Sequence, residues 1–456
     1  MFSNVAFSAA AFVVALGILI AIHEFGHYWV ARRVGIKVLR FSIGMGKALW
    51  TRVSKVDGTE FTIAAIPLGG YVKMLDERVD TVSPGERHMA FNQKPLWARA
   101  AVVIAGPMAN FLLAIAAYWL VMMIGISGIA PLLGPVAPDS PAAISGFQPE
   151  DRLVAVNGTA TPSWTDARLA LLDASLDVSE PALVEVETVT GSFTTRELKL
   201  SDVTVLKDGG DPLAGMGFTN WYPDIEPLIG TVMPDGAAAD AGMLPGDLVL
   251  SVDEKPIDSW LDFVNAVQPN ANKPLALVVQ RDGGQLALNM TPQSVDIDGV
   301  TIGRVGVTET QSAALFEKAR ITVQYPVGTA FVKALQRTWD MTTLTVRMLL
   351  KLVTGQASLD NISGPISIAQ YAGQSASIGI DHYINFIAMI SISLAVLNLL
   401  PIPMLDGGHL VYFAVEAITR KPVSERVQII GQQIGLVILG GLMFLAFYND
   451  IWRLFQ

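Results

Sequence analysis

The run GILIAIHEFGHYWVARR, Gly17–Arg33, decides how the whole chain is read. It closes an apolar stretch from Val5 to Val30, long enough to cross a hydrocarbon core, which takes roughly 20 residues. His23, Glu24 and His27 lie inside that stretch, where an ionisable group is costly unless it has a partner. The fold must therefore bring partners to them.

Composition agrees with a membrane protein that carries soluble parts. The chain has 456 residues, 51% of them hydrophobic and only 16% charged. A net charge of -10 and the lack of a basic tract argue against a nucleic-acid binder. With no cysteine, disulfides, thiolate zinc sites and thiol nucleophiles are excluded.

Three more apolar runs follow: Leu96 to Ile126, Ile384 to Leu400 interrupted by Pro401 and Pro403, and Ile429 to Phe447. The N-terminus has no basic n-region and no small-residue cleavage site after its apolar run, so the first span is expected to be retained. Lys and Arg cluster after the first span (Arg32, Arg33, Lys37, Arg40) and after the third (Arg420, Lys421, Arg426). By the positive-inside rule both segments face the cytosol, which puts both termini and residues 127 to 351 outside it; in a Gram-negative cell, with the chain in the inner membrane, that side is the periplasm.

The outer segment contains a repeat. DSPAAISGFQPEDRLVAVNG at Asp139–Gly158 and DGAAADAGMLPGDLVLSVDE at Asp235–Glu254 share an Asp, an Ala-rich helix, a Gly, a Pro turn, an Asp and an alternating strand. Gly242, Met243, Gly246 and Asp247 resemble the GLxxGD stretch of bacterial PDZ domains, with a weaker copy at Gly146, Phe147, Glu150 and Asp151. Such domains add a peptide strand to a sheet edge, so peptide tails are one candidate ligand; the other reading is that the copies keep the fold without gripping a tail.

On a helix, His23 and His27 present two imidazoles on one face with Glu24 beside them. This HExxH spacing suits a divalent metal, zinc above all: neutral imidazoles bind it and the carboxylate takes a proton from attacking water. A catalytic zinc usually has a third protein ligand. His88 lies in a polar loop, His382 at the far end of the third span, and His409 just after two glycines; Asp406 in NLLPIPMLDGGHL, Asn398–Leu410, is the best candidate. It lies towards the same side as the first pair, since His23 and His27 are only about 8 to 14 Å inside Arg32 and Arg33.

HEFGH on the first span and NLLPIPMLDG on the third resemble the intramembrane zinc metalloproteases of the site-2 protease family. The resemblance extends over essentially the whole chain, including ERHMAFNQKPLWARAAVVIAGPMANF at Glu86–Phe111 and SGPISIA at Ser363–Ala369. It implies His23, His27 and Asp406 as zinc ligands and Glu24 as catalytic base. It also implies substrates that are transmembrane proteins of one span, already trimmed on the periplasmic side: an anti-sigma factor in envelope stress and remnant signal peptides. The tandem domains would exclude untrimmed proteins.

Asn398 and Asn110 are further substrate-binding candidates, able to bond substrate backbone or a developing oxyanion; either side chain could instead make an interhelical bond. A substrate helix must unwind before its carbonyls are reachable, so an open strand edge is needed. The runs IGMGKALW at Ile43–Trp50 and FTIAAIPLGGYVKM at Phe61–Met74 suit a hairpin or re-entrant sheet that pairs with substrate, with Gly69 and Gly70 as contacts, or else a plain cytosolic cap. Ala313 to Val353 mixes Leu315, Phe316, Phe331 and Leu335 with Lys318, Arg320 and Lys333, as helices lying on a membrane surface do.

The expected fold is a polytopic α-helical membrane protein of four transmembrane helices, with a membrane-associated β-hairpin or sheet and two tandem extracytoplasmic PDZ-like α+β domains. Its expected divisions are 1–30 (span with HExxH), 31–95 (β region), 96–126 (span), 127–221 and 222–308 (PDZ-like), 309–375 (surface helices), 376–418 (span with NxxPxPxLDG) and 427–449 (span). A non-catalytic scaffold would not need both Glu24 and Asp406, and a metal transporter would show polar residues through several spans.

Overall fold

The HEFGH segment lies on one unbroken helix, α1, Phe2–Arg33, whose last turn carries Arg32 and Arg33 at the negative end of the helix dipole. The computed structural model describes residues 2–176, 180–200, 212–297, 300–310, 319–359 and 362–454. Leu315, Phe316 and Lys318 of the expected surface helices lie outside the described residues. One unit comprises residues 1–126 and 322–450, the other residues 127–321 and 451–456.

In the first unit four helices are long and apolar enough to span a bilayer: Val5–Arg33, Leu96–Ile124, Ile380–Leu399 and Glu425–Trp452. Val13, Phe25, Leu120, Leu397, Val437 and Phe444 are exposed on them, a surface that suits lipid rather than water. The chain is thus a multi-pass membrane protein. α1 crosses α2, Leu96–Ile124, at Gly26, where a Cβ would stand 2.3 Å from the Ala105 carbonyl oxygen and 2.8 Å from the Ala109 Cβ. Small residues at a crossing let two backbones approach, which is how helices associate in lipid.

Between these helices β1, Val38–Val53, and β2, Glu60–Met74, form the expected sheet. Each long strand bends and pairs twice. Residues 48–53 lie opposite 60–64, and residues 38–43 lie between that ribbon (Arg40 opposite Glu60, Ile43 opposite Ile63) and residues 70–74 (Val38 opposite Met74, Ile43 opposite Gly70). Phe41 and Val38 pack with Tyr28, Ala31 and Val102, fixing the sheet to α1 and α2.

The stretch carrying Asp406 is built from two helices. Ile380–Leu399 ends before Pro401 and Pro403, which cannot donate to a helical ladder, and Asp406–Thr419 begins after them. Met404 between them holds φ at 95°, a left-handed conformation that costs a residue other than glycine on the order of 1 to 3 kcal/mol. Gly407 and Gly408 seat the new helix against the turn: a Cβ on them would lie 2.2 and 2.4 Å from the Leu400 and Ile402 carbonyl oxygens. An amphipathic helix, Val327–Val353, also belongs to this unit, burying Ala330, Ala334, Met341 and Leu344 and exposing Phe331, Leu335 and Trp339.

The second unit contains two copies of one α+β arrangement. In the first, strands run in the order 159–160, 152–156, 182–187, 193–198; in the second, 255–256, 248–252, 275–281, 284–290. Each copy sets a Ser-capped helix on its sheet, Trp164–Ser175 after Ser163 and Trp260–Val267 after Ser259. The two Asp residues of the repeated motif also behave alike. Asp151 accepts from the Gln148 amide at 2.8 Å and pairs with Arg196; Asp247 accepts from the Leu244 amide at 2.9 Å and pairs with Arg281. These are the two PDZ-like domains, each with its own core around Phe147 and Leu153 or Met243 and Phe263.

Candidate metal centre

His23 and His27 lie one turn apart on α1, so both rings leave the same face. Their Nε2 atoms are 3.2 Å apart, and Asp406 Oδ2 lies 3.2 Å from that of His23 and 3.5 Å from that of His27. His23 and His27 are 8% and 9% exposed, so water does not separate these atoms freely.

The three facing atoms need a cation. His27 Nδ1–H donates to the Val102 carbonyl at 2.8 Å, which leaves the Nε2 lone pair pointing at Asp406. Asp406 Oδ2 is buried and has no hydrogen-bond partner among the described residues. Four-coordinate zinc with bonds near 2.0 to 2.1 Å holds its ligands roughly 3.3 Å apart, close to the three separations seen here. Two imidazoles and a carboxylate are also the donor types that zinc prefers, and they leave a fourth position for water or substrate. Among the described residues this trio forms a grouped set of metal-binding side chains.

The helix α2 passes directly behind the pair. A Cβ on Gly106 would lie 2.3 Å from His27 Nε2 and 2.8 Å from His23 Nε2, so only glycine leaves the two nitrogens room. Pro107, next along, removes the amide that would bond the Val103 carbonyl and loosens the ladder beside Val102. Asn110 is fully buried with Nδ2 3.2 Å from His23 Nδ1, which sets it against the first histidine of the trio.

In front of the trio is a cavity of ≈ 650 Å³. Glu24, Gly69, Gly70, Asn398 and His409 line it with the three ligands. Gly70 abuts Glu24: a Cβ there would lie 2.9 Å from Glu24 Cγ and 2.8 Å from the Ser42 carbonyl oxygen. Residues 70–74 pair with residues 38–43 on one side, and Gly70, Tyr71 and Val72 reach the cavity. Of the residues singled out from sequence, His23, Glu24, His27, Asp406, Asn398, Gly69 and Gly70 thus converge. His88 lies on a short 3-10 turn, Arg87–Met89, and His382 pairs with Asp381 at 3.1 Å. Sequence reasoning missed the Val102 carbonyl and Gly106. A backbone acceptor has no residue signature, although the Gly-Pro step at 106 and 107 marks the place.

The chain matches the profile of peptidase family M50 over residues 11–442. It is 47% identical over 447 residues to the regulator of sigma-E protease RseP of Escherichia coli, covering 98% of each chain. It is 45% identical to the regulator of sigma E protease of Salmonella typhi, covering 99% of this chain and all of that one. A solved PDZ domain from Listeria monocytogenes aligns with 22% of the chain, over 98% of its own length, at 19% identity and a TM-score of 0.17.

Proposed function

Because the chain belongs to peptidase family M50 and is a membrane-embedded zinc metalloprotease of that family, we propose that it cuts peptide bonds inside transmembrane segments of single-span proteins. The observation that carries this reading is one cavity where His23, His27 and Asp406 converge while Glu24 faces a strand edge at Gly70.

In this reading His23, His27 and Asp406 hold the zinc, which when bound supplies a Lewis acid that acidifies water and polarises a carbonyl. The unwound substrate strand lies along residues 70–72, where backbone groups give it hydrogen-bond partners and Gly69 and Gly70 leave it space. Asn398, on the cavity wall, donates its amide to the substrate backbone or to the oxygen that gains charge. Glu24 accepts the proton of the attacking water and delivers it to the leaving amide nitrogen, so no net proton is consumed at the carboxylate. Its burial keeps bulk water from competing for that proton.

The Escherichia coli relative is named a regulator of sigma-E. Carried to this chain, that supports an anti-sigma factor of the envelope stress response as substrate, with signal-peptide remnants as a second class. The distribution of Lys and Arg supports an orientation with both termini and the PDZ-like pair on the periplasmic side of the inner membrane. The PDZ-like pair then serves to exclude proteins not yet trimmed, or to bind their tails.

The test is cleavage in detergent of one single-span substrate in trimmed and full-length forms. The trimmed form is expected to be cut within its span, and Asp406→Ala to lose both the cut and the bound zinc. Cleavage outside the span, or wild-type cleavage by Asp406→Ala, would overturn the proposal.

A further inference from the structure

The helix α2 touches the metal site through one face. Val102, Gly106 and Asn110 follow at helical spacing, so the three lie on one stripe. Val102 gives its carbonyl to His27, Gly106 gives both rings room, and Asn110 meets His23. Asn110 does so with its side chain.

Its amide resolves a proton question. Asn110 Nδ2 stands 3.2 Å from His23 Nδ1, while Asn110 Oδ1 is buried without a hydrogen-bond partner among the described residues. For His23 to offer its Nε2 lone pair beside Asp406, the ring proton must sit on Nδ1, and that N–H needs an acceptor. An N–H cannot bond an NH2 donor, but turning the amide half a turn puts Oδ1 against it and relieves the orphaned oxygen at once. The backbone holds the amide there, since Ser391 Oγ on the Ile380–Leu399 helix donates to the Asn110 carbonyl at 2.8 Å.

We propose that Asn110 is a positioning residue of the metal site: its amide oxygen accepts the Nδ1–H of His23 and so fixes the tautomer and angle with which His23 meets zinc. It does for His23 what the Val102 carbonyl does for His27, and it does not contact substrate. The proposal rests on the zinc ligation stated above. Metal-ligating histidines are held by such partners, and losing one costs roughly 10 to 100-fold in metal affinity.

The test is zinc affinity of the full-length protein in detergent, by competition with a chelator, for wild type, Asn110→Leu, Asn110→Asp and His23→Ala. Asn110→Leu is expected to bind zinc about 10 to 100-fold more weakly. Asn110→Asp, which keeps an acceptor, is expected to stay within a few-fold of wild type. Loading the same proteins with cobalt is expected to shift the visible absorption of Asn110→Leu and leave that of Asn110→Asp close to wild type. Wild-type affinity in Asn110→Leu, with a raised KM for substrate, would overturn the proposal in favour of a substrate contact. Equal loss in both Asn110 variants would also overturn it, since a packing role does not distinguish an acceptor from a methyl. Wild-type zinc binding by His23→Ala would instead sink the ligand assignment beneath it.

Discussion

Gly106 and His27 approach so closely that a Cβ on the glycine would lie 2.3 Å from the imidazole Nε2. The helix backbone is thus the rear wall of the metal site, and the smallest possible side chain already trespasses on it. Gly106→Ala is expected to cost at least the roughly 10 to 100-fold in zinc affinity that follows from disturbing a ligand's support. Helix content should stay at the wild-type level, because alanine is the better helix former. Chelator competition and circular dichroism on the same sample check both parts.

Gly70 presses on Glu24 from the other side of the cavity, with room for neither a methyl nor anything larger. Gly70→Val is expected to push the carboxylate away from its working position and to lower cleavage by more than 100-fold, since misplacement of about 1 Å costs that much. Bound zinc should be unchanged, because the three atoms nearest a Cβ at residue 70 belong to Ile20, Ser42 and Glu24 and none to the trio. Loss of zinc along with activity would contradict this division of labour.

Arg99 on α2 reaches Glu416 on the helix that begins with Asp406, with Nη–Oε separations of 2.5 and 3.1 Å. It also donates Nε–H to the Lys94 carbonyl at 3.1 Å and lies over the Phe413 ring. Both side chains are largely buried, so removing one leaves a charge without its partner. Arg99→Met is expected to destabilise the protein by about 3 kcal/mol, and the double change with Glu416→Met by less than the sum of the singles. Thermal unfolding of the four proteins of this cycle measures the coupling.

Acid should loosen the second PDZ-like domain through Asp247. Burial pushes its carboxyl up, but the Arg281 hydrogen bonds, the Leu244 amide and the Arg281 charge together hold it below its ordinary 3.8. A carboxyl depressed in the folded state adds stability that is complete above its unfolded value and is lost as pH falls through the folded one. Protection of the Leu244 amide, taken relative to its intrinsic exchange rate, is therefore expected to hold at pH 5 and to fall only below about 3.8. In Arg281→Gln the burial remains and the compensation goes, so the loss of protection moves to higher pH. An unchanged profile in that variant would rule out the pair as its cause.

Much of the site was legible in the sequence because its chemistry resides in side chains with fixed spacing. His23 and His27 one turn apart define a face, and charged groups in an apolar run demand partners, which led to Asp406. The turn at 400–405 was marked by Pro401 and Pro403, although the second helix beginning at Asp406 was not, because helix resumption after a break depends on the packing of Gly407 and Gly408. The doubled sheet pairing of residues 38–43 was hidden as well: bends in β1 and β2 set it, and periodicity does not report a bend. The second PDZ-like motif could be read from Gly242 to Asp247, but its locking Arg281 comes from a distant strand with no local signal. Asn110 illustrates the same limit. Its residue type permits substrate binding or interhelical bonding, and neither its zero exposure nor its reach to His23 has a local sequence signal.

In the proposed function Glu24 does chemistry on a peptide bond beside a zinc held by other residues. The most direct test is Glu24→Gln in the purified protein, with cleavage of a trimmed single-span substrate and bound zinc measured together. Zinc bound at the wild-type ratio with cleavage lowered by at least the 100 to 10,000-fold typical of a lost general base is the expected result. Cleavage at the wild-type rate would contradict the account.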